Sequence, residues 1–191
     1  MAPNGKLVLV DGNIGQLSTA TKIAEMAIIK FGSIDVVVNN AGIFFTKPFT
    51  DYTPDDFRRL SETNLEGYIY ISQLAVKQML VQKTGGSVTC LTSAMVNHPI
   101  ARVRASLPMI TKGGLEAITL SLAMEYAKRR HSLQRGRSRI RRCTPMLQSL
   151  SPMGEILQIQ DIVDAVVYLT GARHVTGEVL HVDAGAHTGK W

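Results

Sequence analysis

Three polar side chains in the middle of the sequence have the chemistry to orient a carbonyl group or to handle a proton. They are the amide of Asn64, the hydroxyl of Ser93 and the ammonium group of Lys112. Each also has an ordinary structural interpretation, because asparagine can break or cap a helix, serine can end a strand and lysine can lie solvated on a helix. Whether they form a site therefore depends on the elements that position them.

Those elements alternate between strand-like and helix-like segments, a pattern that predicts βαβ units and a parallel sheet covered on both faces. Short runs rich in β-branched residues predict buried strands. The predicted strands cover residues 6–11, 34–39, 87–91 and 177–182, and the predicted helices cover residues 20–31, 54–80, 111–128 and 161–169. We therefore predict an α/β fold and a single domain over residues 1–191.

Capping residues mark the ends of two predicted helices. Ser18 or Thr19 is expected to cap the first helix, and Gly32 is expected to end it. Thr53 precedes a proline and two aspartates, which are favourable at the start of a helix because of its positive dipole end. The second helix should therefore begin directly after Thr53.

A series of motifs connects the three polar residues. It begins with Asn39-Asn40-Ala41-Gly42 directly after a strand and ends with His181-Val182-Asp183-Ala184-Gly185. Between them come Thr53-Pro54-Asp55-Asp56-Phe57, Asn64-Leu65-Glu66-Gly67, Thr111-Lys112-Gly113-Gly114 and Val175-Thr176-Gly177. In order and spacing the series resembles the short-chain dehydrogenase/reductase family, with Ala184 in place of a glycine. The resemblance implies a Rossmann-like, doubly wound parallel sheet.

The resemblance also implies a reaction, the transfer of a hydride between NAD or NADP and a small-molecule alcohol or carbonyl. The family uses an Asn-Ser-Tyr-Lys tetrad, and Asn64, Ser93 and Lys112 match three of its members. In such a site the tyrosine exchanges the proton, the lysine lowers the tyrosine pKa and binds the nicotinamide ribose, the serine orients the carbonyl and the asparagine anchors a water relay. We therefore predict Asn64, Ser93 and Lys112 as the catalytic residues.

The tyrosine of this tetrad is missing. It should lie four residues before the lysine, one helical turn away, where the sequence has Pro108. Proline has no side-chain proton to transfer and no backbone N–H. Ser106 is a far weaker acid than an activated tyrosine, and we interpret Tyr68 and Tyr70 as half-buried helix aromatics. We therefore expect weak or absent activity in this form.

The nucleotide-binding residues of the family are only partly present. The resemblance implies a TGxxxGxG turn whose backbone amides meet the pyrophosphate, and the sequence has no such turn. In register with the Asn39 motif, Lys6 to Gly15 matches the third strand of the family and the turn after it. The first two strands would then be absent. The predicted cofactor-binding residues are Asn13, Ile14, Asn40, Ala41, Gly42 and Lys112.

Two further expectations concern this N-terminal region. Asp11 to Gly15 has an alternative interpretation as a remnant phosphate-binding turn, although two glycines are a weak signal. Without a first strand, the segment Lys6 to Asp11 is expected to fill the gap beside the strand of residues 34–39. If it does not, the unpaired strand edge should favour aggregation.

Residues 128–143 contain eight Lys or Arg and no acidic residue, at the place where the family has a strand beside the nicotinamide. Buried unpaired arginines would cost several kcal/mol each, so we predict an exposed or disordered segment. One coding sequence for Arg130 to Cys143, read one base forward, encodes Gly-Ile-Arg-Phe-Asn-Ala-Val-Ala-Pro-Gly-Phe-Val-Asp, which resembles the strand of the family. Compensating frameshifts in the gene or in its sequencing are therefore our hypothesis for this segment.

The composition restricts the class of protein. With 45% hydrophobic and 19% charged residues it is typical of a globular domain, and no apolar run reaches the roughly 18 residues of a membrane span. Two cysteines without metal-ligand spacing predict no metal site.

We expect a cytoplasmic homo-oligomer (dimer or tetramer) with neither nucleic acid nor membrane as partner. The alternatives are a non-catalytic scaffold of the same fold and, through the arginines, a polyanion binder.

Overall fold

The computed structural model describes residues 6–127, 131–138, 152–172 and 174–188, and within 131–138 it describes the backbone only. Four parallel strands form one sheet in the order β1-β2-β3-β4. They are β1 (Val36–Asn39), β2 (Gly86–Thr92), β3 (His131–Ser138) and β4 (Val179–Val182). The prediction of an α/β fold with a parallel sheet is confirmed.

Five α-helices are present in the part of the chain that the structure describes. They are α1 (Leu17–Phe31), α2 (Pro54–Ser61), α3 (Gly67–Gln82), α4 (Ser106–Tyr126) and α5 (Ile159–Gly171). A π-helical turn, Glu62–Glu66, joins α2 to α3 without a break. None of the helices in these ranges is both long and apolar enough to cross a membrane.

The helix ends follow local capping chemistry. Thr53 and Asp56 form a capping box, because the Asp56 N–H donates to Thr53 Oγ1 at 3.2 Å and the Thr53 N–H donates to Asp56 Oδ2 at 2.9 Å. Gly32 ends α1 in the left-handed region with φ 83°, as predicted. The predicted cap of α1 was wrong, because that helix already begins after Gln16 and takes no side-chain cap.

Helix α4 begins five residues earlier than predicted. Its first residue is Ser106 rather than Thr111, so Pro108 lies in its first turn. Proline is tolerated there because the N–H groups of a first turn have no partner within the helix. The proline therefore leaves the helix that presents Lys112 intact.

One apolar cluster joins three helices to the sheet. It contains Val88 and Cys90 of β2, Tyr68 and Met79 of α3, and Leu115 of α4, all 1% exposed or less. Ala24 of α1 belongs to the same cluster, whereas α5 contacts β2, β3 and β4. The cluster fixes α3 and α4 beside the C-terminal end of β2.

The segment Lys6 to Asp11 does not form a strand, so the prediction that it fills the gap beside β1 was wrong. Leu7 and Leu9 are 80% and 81% exposed, and the sheet described here has no partner on the outer edge of β1. Val36 and Val38 of that strand are 45% and 44% exposed. Strand propensity reflects the packing of side chains on a half-buried pleated surface, and Leu7 and Leu9 have no such packing.

The basic segment corrects a second prediction. Residues 131–138 form β3 between β2 and β4, in register with Gly86–Thr92 on one side and Val179–Val182 on the other. The expectation that the segment avoids the sheet interior was wrong for this backbone. Backbone ladders do not depend on side-chain type, and the facing edges of β2 and β4 both need a partner. Residues 128–130 and 139–143 lie outside the described residues.

Candidate functional site

Asn64 is the structural centre of the candidate site. It lies in the π turn and is completely buried. Its Oδ1 accepts the Ile43 N–H at 2.8 Å, and its Nδ2 donates to the Ile43 carbonyl at 3.1 Å and to Thr111 Oγ1 at 3.0 Å. The amide therefore links the loop after β1 to helix α4. π turns are frequent at functional sites, and this one directs a polar side chain into the interior.

Lys112 reaches the same loop from helix α4. Its Nζ donates to the Leu91 carbonyl at 3.0 Å. A Cβ added to Gly42 would lie 3.3 Å from this Nζ and 3.2 Å from Asn64 Oδ1. Both contacts are tighter than ordinary, so the absence of a side chain at Gly42 allows the lysine and the asparagine to converge on the backbone. The predicted residues Gly42, Asn64 and Lys112 are thus brought together.

The surroundings of Lys112 affect its charge. Burial lowers the pKa of the Lys112 ammonium group, because removal from water disfavours the charged form. Within the described ranges no carboxylate forms an ion pair with its Nζ. The lysine therefore lies in a setting that reduces its preference for the charged form.

Ser93 lies at the end of β2 and is 9% exposed. Its Oγ accepts the Met95 N–H at 3.3 Å, which turns the chain out of the strand. Ser93 follows Leu91, the acceptor of the Lys112 hydrogen bond, by two residues. The Cα atoms of Ser93 and Leu91 are therefore about 7 Å apart along the chain. The structure thus places Ser93 at the C-terminal end of β2, two residues beyond the carbonyl that Lys112 binds.

Pro108 lies one turn before Lys112 and is buried. Its carbonyl accepts the Thr111 hydroxyl at 2.9 Å, and the same hydroxyl oxygen accepts from Asn64. Sequence reasoning missed Thr111 as a part of the site. Its position directly before Lys112 and three residues after Pro108, where a threonine can bond back to its helix, was the available signal.

A cavity of about 400 Å³ adjoins this region. Met109, three residues before Lys112 and on the same side of α4, lines it together with Met95, which follows Ser93. Most of the lining is apolar, including Phe49, Ile100 and Val103, and Lys47, Arg104 and Ser106 supply its polar groups. A cavity of this size and character is suited to a small molecule with an apolar group.

The two tyrosines near Asn64 are engaged elsewhere. The Tyr68 hydroxyl is 3.1 Å from the Thr119 hydroxyl, and burial raises the pKa of Tyr68 to about 12. Tyr68 is fully buried rather than half-buried as predicted. The Tyr70 hydroxyl donates to Glu66 Oε2 at 3.0 Å, and this hydrogen bond raises the pKa of Tyr70. Both changes make these phenols poorer proton donors.

The predicted adenine-side residues lie on the other side of the loop after β1. Ile14 lines a groove of about 300 Å³ with Ala41, Asn39 and the valines of β1. Asn40, Ala41 and Gly42 are exposed, and the buried Nδ2 of Asn39 has no hydrogen-bond partner among the described residues. Ile14 and Ala41 therefore border one groove, Asn40 and Gly42 are exposed beside it in the same loop, and Lys112 Nζ approaches Gly42.

The turn that contains Asn13 is closed by packing. Asn13 Nδ2 and Gln16 Nε2 both donate to Glu62 Oε1, at 2.9 and 2.8 Å. A Cβ on Gly15 would lie 2.5 Å from Glu62 Cγ, and one on Gly12 would lie 2.6 Å from Thr19 Oγ1. Both glycines are used in close packing, Gly15 beside Glu62 and Gly12 beside Thr19. This arrangement argues against the phosphate-turn interpretation, because a phosphate needs donors and positive potential.

Comparisons with known proteins agree with this architecture. A family model described as "Enoyl-(Acyl carrier protein) reductase" matches residues 2–187. A 3alpha-hydroxysteroid dehydrogenase of Mediterraneibacter gnavus is 30% identical over 83% of this chain and 67% of its own length. A short-chain type dehydrogenase/reductase of Mycobacterium marinum superposes with a TM-score of 0.91 at 22% identity, over 97% of this chain and 76% of that one.

A second solved structure shares the fold and carries a nucleotide. It is a gluconate 5-dehydrogenase from Burkholderia cenocepacia, determined in complex with NADP and tartrate, with a TM-score of 0.86 and 21% identity over 94% of this chain and 74% of that one. Both superpositions confirm the Rossmann-like, doubly wound sheet. The family match, together with the motif order and the arrangement of Asn64 and Lys112, shows that the chain belongs to the short-chain dehydrogenase/reductase family of oxidoreductases.

Proposed function

We propose that this site descends from an NAD(P)-dependent oxidoreductase that acts on a small alcohol or carbonyl, and that its activity is weak or absent in this form. The observation that carries the proposal is Pro108, buried one helical turn before Lys112. Lys112, Asn64 and Ser93 match the lysine, asparagine and serine of the tetrad, but the position of the proton donor holds a ring without an ionisable group.

The residues present fit one part of a nicotinamide nucleotide. Lys112 and the exposed backbone of residues 40–42 would hold the nicotinamide ribose, and the unpartnered Nδ2 of Asn39 offers a further donor. Ile14 and Asn13 would lie at the adenine side. When bound, the nucleotide supplies or accepts a hydride. The solved gluconate 5-dehydrogenase with NADP supports this choice of cofactor.

The fit to the pyrophosphate is poorer. Among the described residues no glycine-rich turn offers its backbone N–H groups, and Glu62 places a carboxylate at the nearest turn. Like charges repel, so we expect weak nucleotide binding. NAD and NADP are not distinguished by these residues.

The other residues act on the substrate. The Ser93 hydroxyl would orient the carbonyl, and Asn64 fixes the loop on which the reacting groups meet. The apolar cavity beside Met109 would hold the rest of the substrate and exclude water. The site lacks a group that transfers the proton. Such a group contributes about 10²–10⁴-fold to the rate.

The experiment compares two substitutions at one position. Pro108→Tyr restores a phenol, and Pro108→Phe is the matched control with the same bulk and no hydroxyl. With NADPH and NADH, and a panel of apolar aldehydes and ketones, we expect kcat/KM of the tyrosine variant to exceed that of the phenylalanine variant by about 10²–10⁴. The proposal fails if the unmodified chain already reduces these substrates as fast as the tyrosine variant.

A non-catalytic role is the second candidate function, and the Glu62 carboxylate at the nucleotide side favours it. Calorimetric titration of the unmodified chain with NADPH separates the two candidates. Measurable binding of NADPH supports a residual oxidoreductase, whereas no binding at millimolar NADPH supports the non-catalytic scaffold. We retain the single domain, the cytoplasmic location and the homo-oligomer as proposals, the last to be tested by light scattering.

A further inference from the structure

We propose that the cavity of about 400 Å³ beside helix α4 binds a small amphipathic carboxylate, with the anionic group on Arg104 and the hydrocarbon part against the cavity wall. Such binding needs neither a nucleotide nor contact between the ligand and Lys112. It goes beyond the proposed function, which does not specify the charge of the molecule that the cavity accepts. The support comes from the way the walls are joined, from their apolar surface and from one uncompensated cation.

The two walls of the cavity are joined by hydrogen bonds. One wall begins at Lys47, and the other lies within residues 99–106. The Lys47 N–H donates to the Arg104 carbonyl at 3.1 Å, and the Tyr52 hydroxyl donates to the same carbonyl at 3.2 Å. The cavity is therefore already formed before a ligand enters, which reduces the entropic cost of binding.

The wall offers apolar surface to a ligand. Met95, Ile100, Val103 and Met109 contribute hydrocarbon and thioether groups, and Phe49 is 72% exposed beside them. A hydrocarbon group in the cavity would remove part of this surface from water, which favours binding in proportion to the area covered. The cavity therefore favours a ligand with an aliphatic or aromatic part.

The two cations that line the cavity differ in their partners. The Lys47 Nζ donates to Asp56 Oδ2 at 2.6 Å, so a carboxylate already compensates its charge. The exposed Arg104 side chain forms no ion pair within the described ranges. The lining residues that the structure describes include no Asp or Glu, and the sequence outside the described ranges contains neither. The cavity therefore has one uncompensated positive charge.

A carboxylate matches this charge better than other small groups. The guanidinium of Arg104 is planar, and its N–H donors can bind both oxygens of a carboxylate at once. Because the side chain is exposed, water screens the ion pair and its contribution is modest. The apolar wall must therefore supply much of the affinity, and a carboxylate without a hydrocarbon part should bind poorly. An amine is disfavoured, because the uncompensated charge is positive.

The test is titration of the full chain with octanoate at pH 7 and about 20 mM salt, followed by saturation-transfer NMR. Octanamide has the same chain without the charge, and octylamine has the opposite charge. We expect octanoate to bind about fivefold more tightly than octanamide, and octylamine to bind more weakly than both. Hexanoate, which is shorter by two CH₂ groups, should bind about tenfold more weakly than octanoate.

Substitution of Arg104 locates the charge preference. Arg104→Gln removes the charge but keeps the backbone carbonyl that joins the two walls, so it should abolish the preference for octanoate and leave octanamide binding unchanged. Arg104→Lys keeps the charge and should keep most of the preference. Arg102→Gln is the matched control, because Arg102 is exposed two residues away and does not line the cavity. A preference that persists in Arg104→Gln, or that is lost equally in Arg102→Gln, would overturn the proposal.

Substitution of Met109 locates the hydrocarbon part. Met109→Trp fills the cavity and should weaken octanoate and octanamide alike by about tenfold, because the apolar contact is lost. Unchanged binding in this variant would place the ligand elsewhere on the chain, and no octanoate binding to the unmodified chain at about 10 mM would also refute the proposal. Because no nucleotide is present in these titrations, their failure is distinguishable from failure to bind NADPH.

Discussion

The two sides of the loop after β1 differ in how completely they are built. On the side of α4, Asn64 donates to the Thr111 hydroxyl, that hydroxyl donates to the Pro108 carbonyl, and Lys112 donates to the Leu91 carbonyl. On the other side, the outer edge of β1 and Asn39 Nδ2 both lack a partner among the described residues, and Leu7 and Leu9 lie in solvent. The substrate side has its supporting structure, and the nucleotide side does not.

This difference teaches that the parts of a family site have separate structural supports. The network around Asn64 depends on the packing of α3 and α4 against β2, and these elements keep their shared core. The groove beside Ile14 is lined by the valines of β1, so its shape depends on the packing against the outer edge of that strand. Substitutions on the two sides should therefore have unequal effects on stability.

The largest effect is expected from Asn64→Leu. The change removes three hydrogen bonds, two of them to the backbone groups of Ile43, at a cost of about 3 kcal/mol in the free energy of unfolding. Urea unfolding measures it. The matched control is Asn40→Leu on the exposed loop, which should cost less than about 0.5 kcal/mol. Equal losses in both variants would abolish the distinction between the two sides.

The next effect concerns the junction between the two sides. A Cβ on Gly15 would lie 2.8 Å from the Glu62 backbone oxygen, so Gly15→Ala must shift the turn or the π segment. We expect a loss of about 2 kcal/mol by thermal or urea unfolding. Gly171→Ala is the control, because a Cβ there meets nothing within 4 Å. If Gly15→Ala leaves the unfolding free energy unchanged, the turn can move without cost.

A pH-dependent effect should come from Asp56, which caps α2. The Lys47 Nζ donates to Asp56 Oδ2 at 2.6 Å, and with the capping bonds this lowers the pKa of Asp56 from 3.8 to about 2. A lowered carboxyl pKa stabilises the fold above pH 3.8, and this stabilisation is lost as the pH falls through about 2. Asp56→Asn should therefore flatten the decline of unfolding free energy between pH 4 and 2, measured by urea titrations. Asp55→Asn, which removes an exposed carboxyl, should leave that decline in place.

The smallest effect is expected on the open side. Leu7→Ser combined with Leu9→Ser replaces two side chains that are 80% and 81% exposed, so the unfolding free energy should change by less than about 0.5 kcal/mol. The contrasting control is Leu115→Ala in the shared core. It should lower the unfolding free energy by about 2–5 kcal/mol, the usual range for truncating a buried leucine. A loss above 1 kcal/mol in the double serine variant would show that the segment is packed in solution.

The sequence predicted the elements whose signals are local. Thr53 with Asp56 specified the start of α2, Gly32 specified the end of α1, and the order of the motifs placed Asn64 and Lys112 at one site. The hydrogen bonds of Thr111 were not predicted, because they depend on how α4 meets the π turn. Long-range contacts of this kind leave little trace in residue spacing.

Two failures have the same physical origin. Lys6 to Asp11 has the composition of a strand and is not one, whereas residues 131–138 have the composition of a solvated segment and form β3. In both cases the tertiary surroundings, not the composition, decided the backbone conformation: Leu7 and Leu9 pack against nothing, and residues 131–138 lie between the edges of β2 and β4. Reading the coding DNA across Arg130 to Cys143 tests the frameshift hypothesis, which predicts single-base changes of opposite sign at its two ends.

The π turn at Glu62–Glu66 also constrains how this protein can vary. It accommodates one extra residue between Leu60 before it and Tyr68 after it, which are both fully buried. Removing one residue from the turn would restore regular winding with these two side chains still on one face, whereas removing one from the middle of α3 would rotate everything downstream by about 100°. Apart from the loss of Asn64 itself, single-residue deletions should therefore be tolerated better in the π turn than in the middle of α3, a pattern that a deletion scan can reveal.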